Sequence, residues 1–195
     1  MHPELLLLIG ISFSMGFTPG PNNAVASYSA FNFGIRKTFP VILGVGFGYT
    51  TLVILLIFFL ISVFQKYPYI QDIIKILGSI FLIYLAYKIS FSKDKSKSSA
   101  ENPVKFFETY FFQFINPKGV MAAITLISKF VTQENFVSSS IVVIIVCSVT
   151  AFLSITSWAL VGKFLRKFAI NNEFIKRFNY AMSILLVACV VSFYL

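Results

Sequence analysis

Charge is scarce in this sequence, and acidic charge most of all. Seven Asp and Glu stand against 16 Lys and Arg, and charged residues of every kind make up 12% of the chain. A soluble domain carries about 25%, so a water-facing surface of ordinary size could not be covered. That shortage excludes a soluble enzyme, a soluble nucleic-acid-binding domain and a disordered chain together. Cysteine is nearly missing as well: Cys147 and Cys189 sit in separate apolar runs without a CxxC partner. They read as small buried hydrophobes rather than a redox pair. The single histidine, His2, is terminal. With so few ligating or nucleophilic side chains there is no metal cluster, nucleophile triad or phosphate loop. No catalytic residue, metal or cofactor is expected, and the chain does not read as an enzyme. The first apolar run, 5–11, has no Lys or Arg before it and no A-x-A site after it, so it reads as a first span rather than a cleaved signal.

What is present is hydrocarbon. Hydrophobic residues are 57% of 195, close to the roughly 120 positions that six spans of about 20 residues need. Charge-poor runs place those spans at 5–35, 38–65, 70–87, 106–128, 135–162 and 178–195. The third is the weakest, because Asp72 and Lys75 stand at its entrance. Little chain is left for extramembrane domains, so the sequence predicts an all-α polytopic membrane protein with a lipid bilayer as its solvent and its function inside the bundle.

The basic residues then set orientation. Twelve Lys and Arg lie in the loops around 33–39, 88–105 and 162–177, three on the other side (Lys66, Lys75, Lys129), and Lys118 inside a span. Such a bias puts the three odd loops in the cytoplasm and both termini outside. The only stretch of linker composition, 90–103, is rich in Ser and Lys and falls at the midpoint. It divides a single transmembrane domain, 1–195, into halves of about 1–95 and 100–195.

The halves resemble each other at their breaks. Phe17-Thr18-Pro19-Gly20 and Ile115-Asn116-Pro117-Lys118 share the order apolar, small polar, Pro, and lie 98 residues apart. Proline lacks an N–H and strips the carbonyl four residues before it of its partner. Bare backbone groups in hydrocarbon survive only where they are buried in protein or line a cavity. Three spans per half is an odd number, so the second half is inverted relative to the first. Inverted repeats with matching broken helices point to a secondary transporter and to its binding site. Thr18, Pro19, Gly20, Pro21, Asn22, Asn23, Asn116, Pro117 and Lys118 are therefore the candidate substrate-binding residues. Packed kinks are the alternative for the prolines, and capping of the half-helices for the asparagines.

Lys118 is the one basic residue deep in a span. An ionised Lys there costs about 2.5–3.5 kcal/mol on insertion scales, so it is a candidate to hold a substrate carboxylate or to exchange a proton; snorkelling to an interface is the alternative. No Asp or Glu lies in a span core. A second cationic group on the substrate would have no partner, which favours a neutral amino acid. Gly44 and Gly48 have small-xxx-small spacing for close helix packing, with the first break as the candidate neighbour.

These motifs resemble a known family. Thr18-Pro19-Gly20-Pro21-Asn22-Asn23, Asn32-Phe33-Gly34-Ile35-Arg36-Lys37, Leu43-Gly44-Val45-Gly46-Phe47-Gly48 and Gln113-Phe114-Ile115-Asn116-Pro117-Lys118 resemble the LysE/RhtB superfamily of amino-acid exporters. Leu85-Ala86-Tyr87-Lys88-Ile89 and Trp158-Ala159-Leu160-Val161-Gly162 look like its cysteine/O-acetylserine exporter branch. The resemblance implies an inner-membrane efflux carrier, with an amino acid and protons as its partners. The basic-amino-acid branch has an acidic residue in the second span, and Phe47-Gly48-Tyr49 offers none. Three other activities stay open: an exporter of lysine or arginine, an uncoupled small-solute channel and an assembly subunit. Facing Gly and Ser positions are compatible with a homodimer, and no nucleic-acid partner is expected.

Overall fold

The computed structural model describes residues 3–60, 66–90, 104–169 and 171–195. His2, Gln65 and positions 91–103, with Lys93, Asp94, Lys95, Lys97 and Glu101, lie outside the described residues. Among those described, the structure is entirely helical. The elements are α1 (Pro3–Phe17), α2 (Pro21–Phe33), α3 (Ile35–Leu55, continued by the π-turn Leu56–Leu60), α4 (Tyr69–Ser90), α5 (Phe106–Ile115), α6 (Pro117–Phe130), α7 (Phe136–Arg166) and α8 (Asn172–Ser192). Four of these are long and apolar enough to cross a membrane: Ile35–Phe59, Tyr69–Ser90, Phe136–Arg166 and Asn172–Ser192. Tyr69–Ser90 is the run that read as weakest in sequence.

The other four helices are short, and they are short for a stated reason. Pro19 and Pro21 cannot donate to the carbonyls of Met15 and Phe17, so α1 ends at Phe17. Gly20 is extended (φ −170°, ψ 178°) and α2 restarts with Pro21 in its first turn, where proline is tolerated. Pro117 likewise pushes the residue before it out of the α region. Asn116 has φ −84°, ψ 102°, and Pro117 opens α6. Gly34, at φ +81°, makes the sharp turn from α2 into α3, a conformation that costs a side-chain-bearing residue.

Two apolar clusters hold the bundle. One joins α2, the first half of α3, α4, the second half of α7 and α8 around Val25, Val45, Leu82, Ile155 and Leu186. The other joins α1, the second half of α3, α6 and the first half of α7 around Leu8, Leu52, Leu126 and Val143. Outward-facing Leu, Ile, Phe and Val are abundant on α4, α7 and α8, for example Ile80, Ile145 and Ile184. An apolar exterior of this extent suits lipid, where no water has to be excluded.

Bare glycines set the closest crossings. A Cβ on Gly44 would fall on Phe106 and Thr109, and one on Gly48 on Tyr110, so α3 lies directly against α5. This corrects the expected neighbour: the pair faces α5 rather than the first break. Gly162 brings α7 onto the backbone of Ser27 in α2, and Gly78 brings α4 onto Ile115 and Pro117 at the second break.

Candidate functional site

At the first break, side chains take every carbonyl that the prolines leave without a helical partner. Met15 O accepts from Thr18 Oγ1 at 2.8 Å. Gly16 O accepts from Asn23 Nδ2 at 3.1 Å and from Ser154 Oγ at 2.8 Å. Phe17 O accepts from the Trp158 indole at 3.3 Å. Thr18 O accepts from Asn23 Nδ2 at 2.9 Å and from Lys118 Nζ at 2.9 Å. Lys118 also donates to Thr18 Oγ1 at 2.8 Å and to Pro19 O at 3.0 Å. An ammonium has three protons, and here each has an oxygen. The negative end of the α1 dipole adds to that attraction. Gly20 makes room for it, since a Cβ there would lie 2.8 Å from Nζ.

The two breaks meet a second time through amides. Asn22 Nδ2 donates to Gln113 Oε1 at 2.9 Å, and Gln113 Nε2 returns a bond to Asn22 Oδ1 at 3.1 Å. Gln113 is fully buried and also donates to Thr109 O at 2.8 Å. This reciprocal pair ties the start of α2 to α5.

The second break is differently provisioned. Asn116 is 2% exposed, yet its Oδ1 has no hydrogen-bond partner. Neither α2 nor α6 has a side-chain cap at its N-terminus. Their first free N–H groups, beyond the donorless Pro21 and Pro117, sit on the positive ends of two helix dipoles. Both ends border a cavity of about 80 Å³ at the boundary between the two apolar clusters. Its wall includes Gly20, Asn22 and Asn23 from the first break, Asn116, Lys118 and Gly119 from the second, and Thr150 and Ser154 from α7. No Asp or Glu is among the described residues that line it. A wider space of about 650 Å³ adjoins it, bordered by Thr18, Met121, Thr125, Cys189 and Ser192. Met15, Lys118 and Ala122 line both, so the Lys118 ammonium, bonded across to Thr18 and Pro19, stands between them.

The structure thus brings Thr18, Pro19, Gly20, Pro21, Asn22, Asn23, Asn116, Pro117 and Lys118 to one place. It does not give them one job. Asn23 is spent on closing the end of α1, and Asn22 on Gln113. Lys118 binds protein oxygens, and Asn116 keeps an unused acceptor. Gly44 and Gly48 stand apart, against α5. Among the described residues no group of three His, Cys, Asp or Glu could hold a metal.

Several contributors were not singled out as site residues in the sequence. Gln113 stands in the second motif without a predicted role. Trp158 and Ser154 cap α1 from 141 and 138 residues away. Cys147, Thr150, Ala151, Ser154 and Ile155 form one face of α7 along the cavity. Their i, i+3, i+4, i+7 spacing within a charge-free run was the available signal; nothing local showed what that face meets.

Comparison with known proteins finds relatives for this sequence. The profile of the LysE type translocator family matches residues 13–195. Similar proteins include the cysteine/O-acetylserine efflux proteins of Escherichia coli (strain K12), Shigella sonnei (strain Ss046) and Shigella flexneri. Each is 27% identical over 175 residues, which is 89% of this chain and 89% of the relative. No solved structure matches.

Proposed function

We propose a function from this premise: the chain belongs to the LysE type translocator family. It exports small neutral amino acids or their derivatives, of the cysteine/O-acetylserine or homoserine/threonine type, from the cytoplasm in exchange for protons. Six spans, counting α1–α2 and α5–α6 as one broken span each, form two inverted halves joined through 90–103.

One observation carries the reading. Two uncapped half-helix N-termini and buried Asn116, whose Oδ1 has no partner, border the same small cavity. Helix N-termini attract a carboxylate, and an amide oxygen accepts from an ammonium, so the pair suits the two ends of a zwitterion. The acid-free lining supports a neutral side chain. The names of the relatives support the substrate type.

Lys118 links substrate to proton. Protonated, it has a donor for each of its three oxygens at the end of α1. Deprotonated, it has one donor fewer and no charge, and its hold on Thr18 and Pro19 weakens. Release of that contact joins the small cavity to the wider one. The loops around 33–39, 88–105 and 162–177 face the cytoplasm and the termini face outside. In that orientation the glycine-set seams of α3 on α5 and α2 on α7 close the cytoplasmic side, and the wider space lies toward the outside.

The test is the amino-acid content of the medium around cells overproducing the protein, against cells carrying an empty vector. Cysteine, O-acetylserine, threonine, homoserine, leucine and lysine are quantified together. One or more neutral amino acids should accumulate, and a protonophore should stop accumulation against a gradient. Lysine alone in the medium overturns the neutral-substrate reading. Flux that ignores the protonophore overturns the exchange.

A further inference from the structure

We propose that Thr150 determines specificity: its hydroxyl hydrogen-bonds a polar group on the substrate's own side chain. The protein then selects amino acids bearing a hydroxyl, thiol or ester over hydrocarbon analogues of the same shape. This rests on the exporter reading above and adds to it a side-chain subsite.

The first observation is an unspent hydroxyl. Thr150 is 3% exposed, lines the small cavity, and its Oγ1 has no hydrogen-bond partner. Buried hydroxyls in folded proteins are nearly always satisfied, because an unmade bond is costly.

The second observation is that an easy partner is left unused. A helical threonine can donate to the carbonyl four residues before it. Thr38, Thr50, Thr51, Thr109 and Thr125 all do so. Thr150 does not. Its methyl group fits against α1 where Gly16 leaves the backbone bare, since a Cβ at Gly16 would lie 2.9 Å from Thr150 Cγ2. That contact occupies the methyl, while the residue lines the cavity and its hydroxyl stays unbonded. One turn along the same face, Ser154 is committed to Gly16 O. The α7 wall therefore offers one free hydroxyl.

The remaining chemistry of the cavity divides naturally. The half-helix N-termini and Asn116 take the carboxylate and ammonium common to all amino acids and cannot tell one from another. Thr150 is on a different helix and adds one donor and one acceptor. A space of about 80 Å³ is roughly half the size of a cavity that holds benzene, so it takes a whole amino acid only once the Lys118 contact opens it to the wider space, and the side chain held against Thr150 has only a few heavy atoms. A site built to bond such a group rejects an analogue that lacks it far more strongly than a hydrophobic slot could.

The experiment uses purified full-length protein in proteoliposomes with an inward proton gradient. Two isosteric pairs serve as probes: L-cysteine with L-2-aminobutyrate, and L-threonine with L-valine. Wild type should release the polar member of at least one pair about 10-fold faster or more. Thr150→Val keeps the methyl contact with Gly16 and removes the hydroxyl. It should lower polar efflux relative to apolar efflux until the two rates converge. Thr150→Ser should keep the preference. Thermal unfolding in detergent adds a readout, because a hydroxyl that served only folding would lower the midpoint of Thr150→Val, whereas the subsite role leaves it level or raised. Rapid efflux with the wild-type ratio intact in Thr150→Val overturns the subsite and spares the exporter reading. Release of neither member of either pair by wild type overturns both.

Discussion

Lys118 shows what a single residue can and cannot reveal in advance. Its depth in an apolar run marked it as functional, because an isolated ammonium in hydrocarbon is unfavourable. A substrate carboxylate or an exchanged proton was its expected business. The structure gives it three protein oxygens, Thr18 O, Thr18 Oγ1 and Pro19 O, at 2.8–3.0 Å. It closes the end of α1 and separates two cavities at the same time. Lys118→Ala should therefore lower export at least about 10-fold, the scale of one charge-assisted hydrogen bond, while membrane abundance stays near wild type. Export assays paired with immunoblots of the membrane fraction check both. A fall in abundance that accounts for the lost export would make the residue a purely structural cap. Asn23 carries the opposite lesson. Substrate contact and capping of a half-helix were both open to it, and its NH2 group donates to Gly16 O and Thr18 O at the end of α1.

At the scale of elements, prolines were legible and partners were not. Pro19, Pro21 and Pro117 end helices by a local rule, the missing N–H and the clash with the preceding turn, so both interruptions could be placed from sequence. Which helix meets which glycine is set by the path of the whole chain. Gly44 and Gly48 looked suited to the first break and lie against α5. Gly162, noted only as the end of a family motif, and Gly78 had no predicted packing role, although each holds a helix against backbone. Gly162→Ala should push α7 from α2 and lower stability by about 1–3 kcal/mol, the usual cost of overpacking. Gly10→Ala, which meets nothing within 4 Å, should be neutral to within about 1 kcal/mol. Thermal unfolding of the two variants in detergent gives the contrast. Equal midpoints would show that the α2–α7 seam tolerates a methyl group.

The whole molecule is asymmetric about its breaks. The α3–α5 and α2–α7 seams use Gly44 and Gly48 with the start of α5 and Gly162 near the end of α7, whereas the wider cavity is bordered by Cys189 and Ser192 at the end of α8. In the proposed orientation that cavity faces outside, and Cys189 on its wall is the natural reporter. In a Cys147→Ser background, a membrane-impermeant thiol reagent added to intact cells should label Cys189, and Cys189→Ser should abolish the signal. Labelling confined to inside-out vesicles would reverse the orientation read from the Lys and Arg distribution.

The sequence by itself determined the membrane setting, the helical class and the positions of both interruptions. Each follows from a local quantity: the shortage of charge, the length of apolar runs and the chemistry of proline. It also marked the residues that gather at the breaks, because polar groups in hydrocarbon stand out against their neighbours. Only the tertiary structure decided how those groups are spent. Carbonyls of α1 are satisfied by Trp158 and Ser154 from the far end of the chain, Asn22 is paired with Gln113, and the Lys118 ammonium sits on Thr18 and Pro19. Asn116 and Thr150 alone among the described cavity-lining side chains keep buried polar atoms without a partner. Satisfaction of a hydrogen bond depends on what folding brings within about 3 Å, and no pattern along a chain carries that distance.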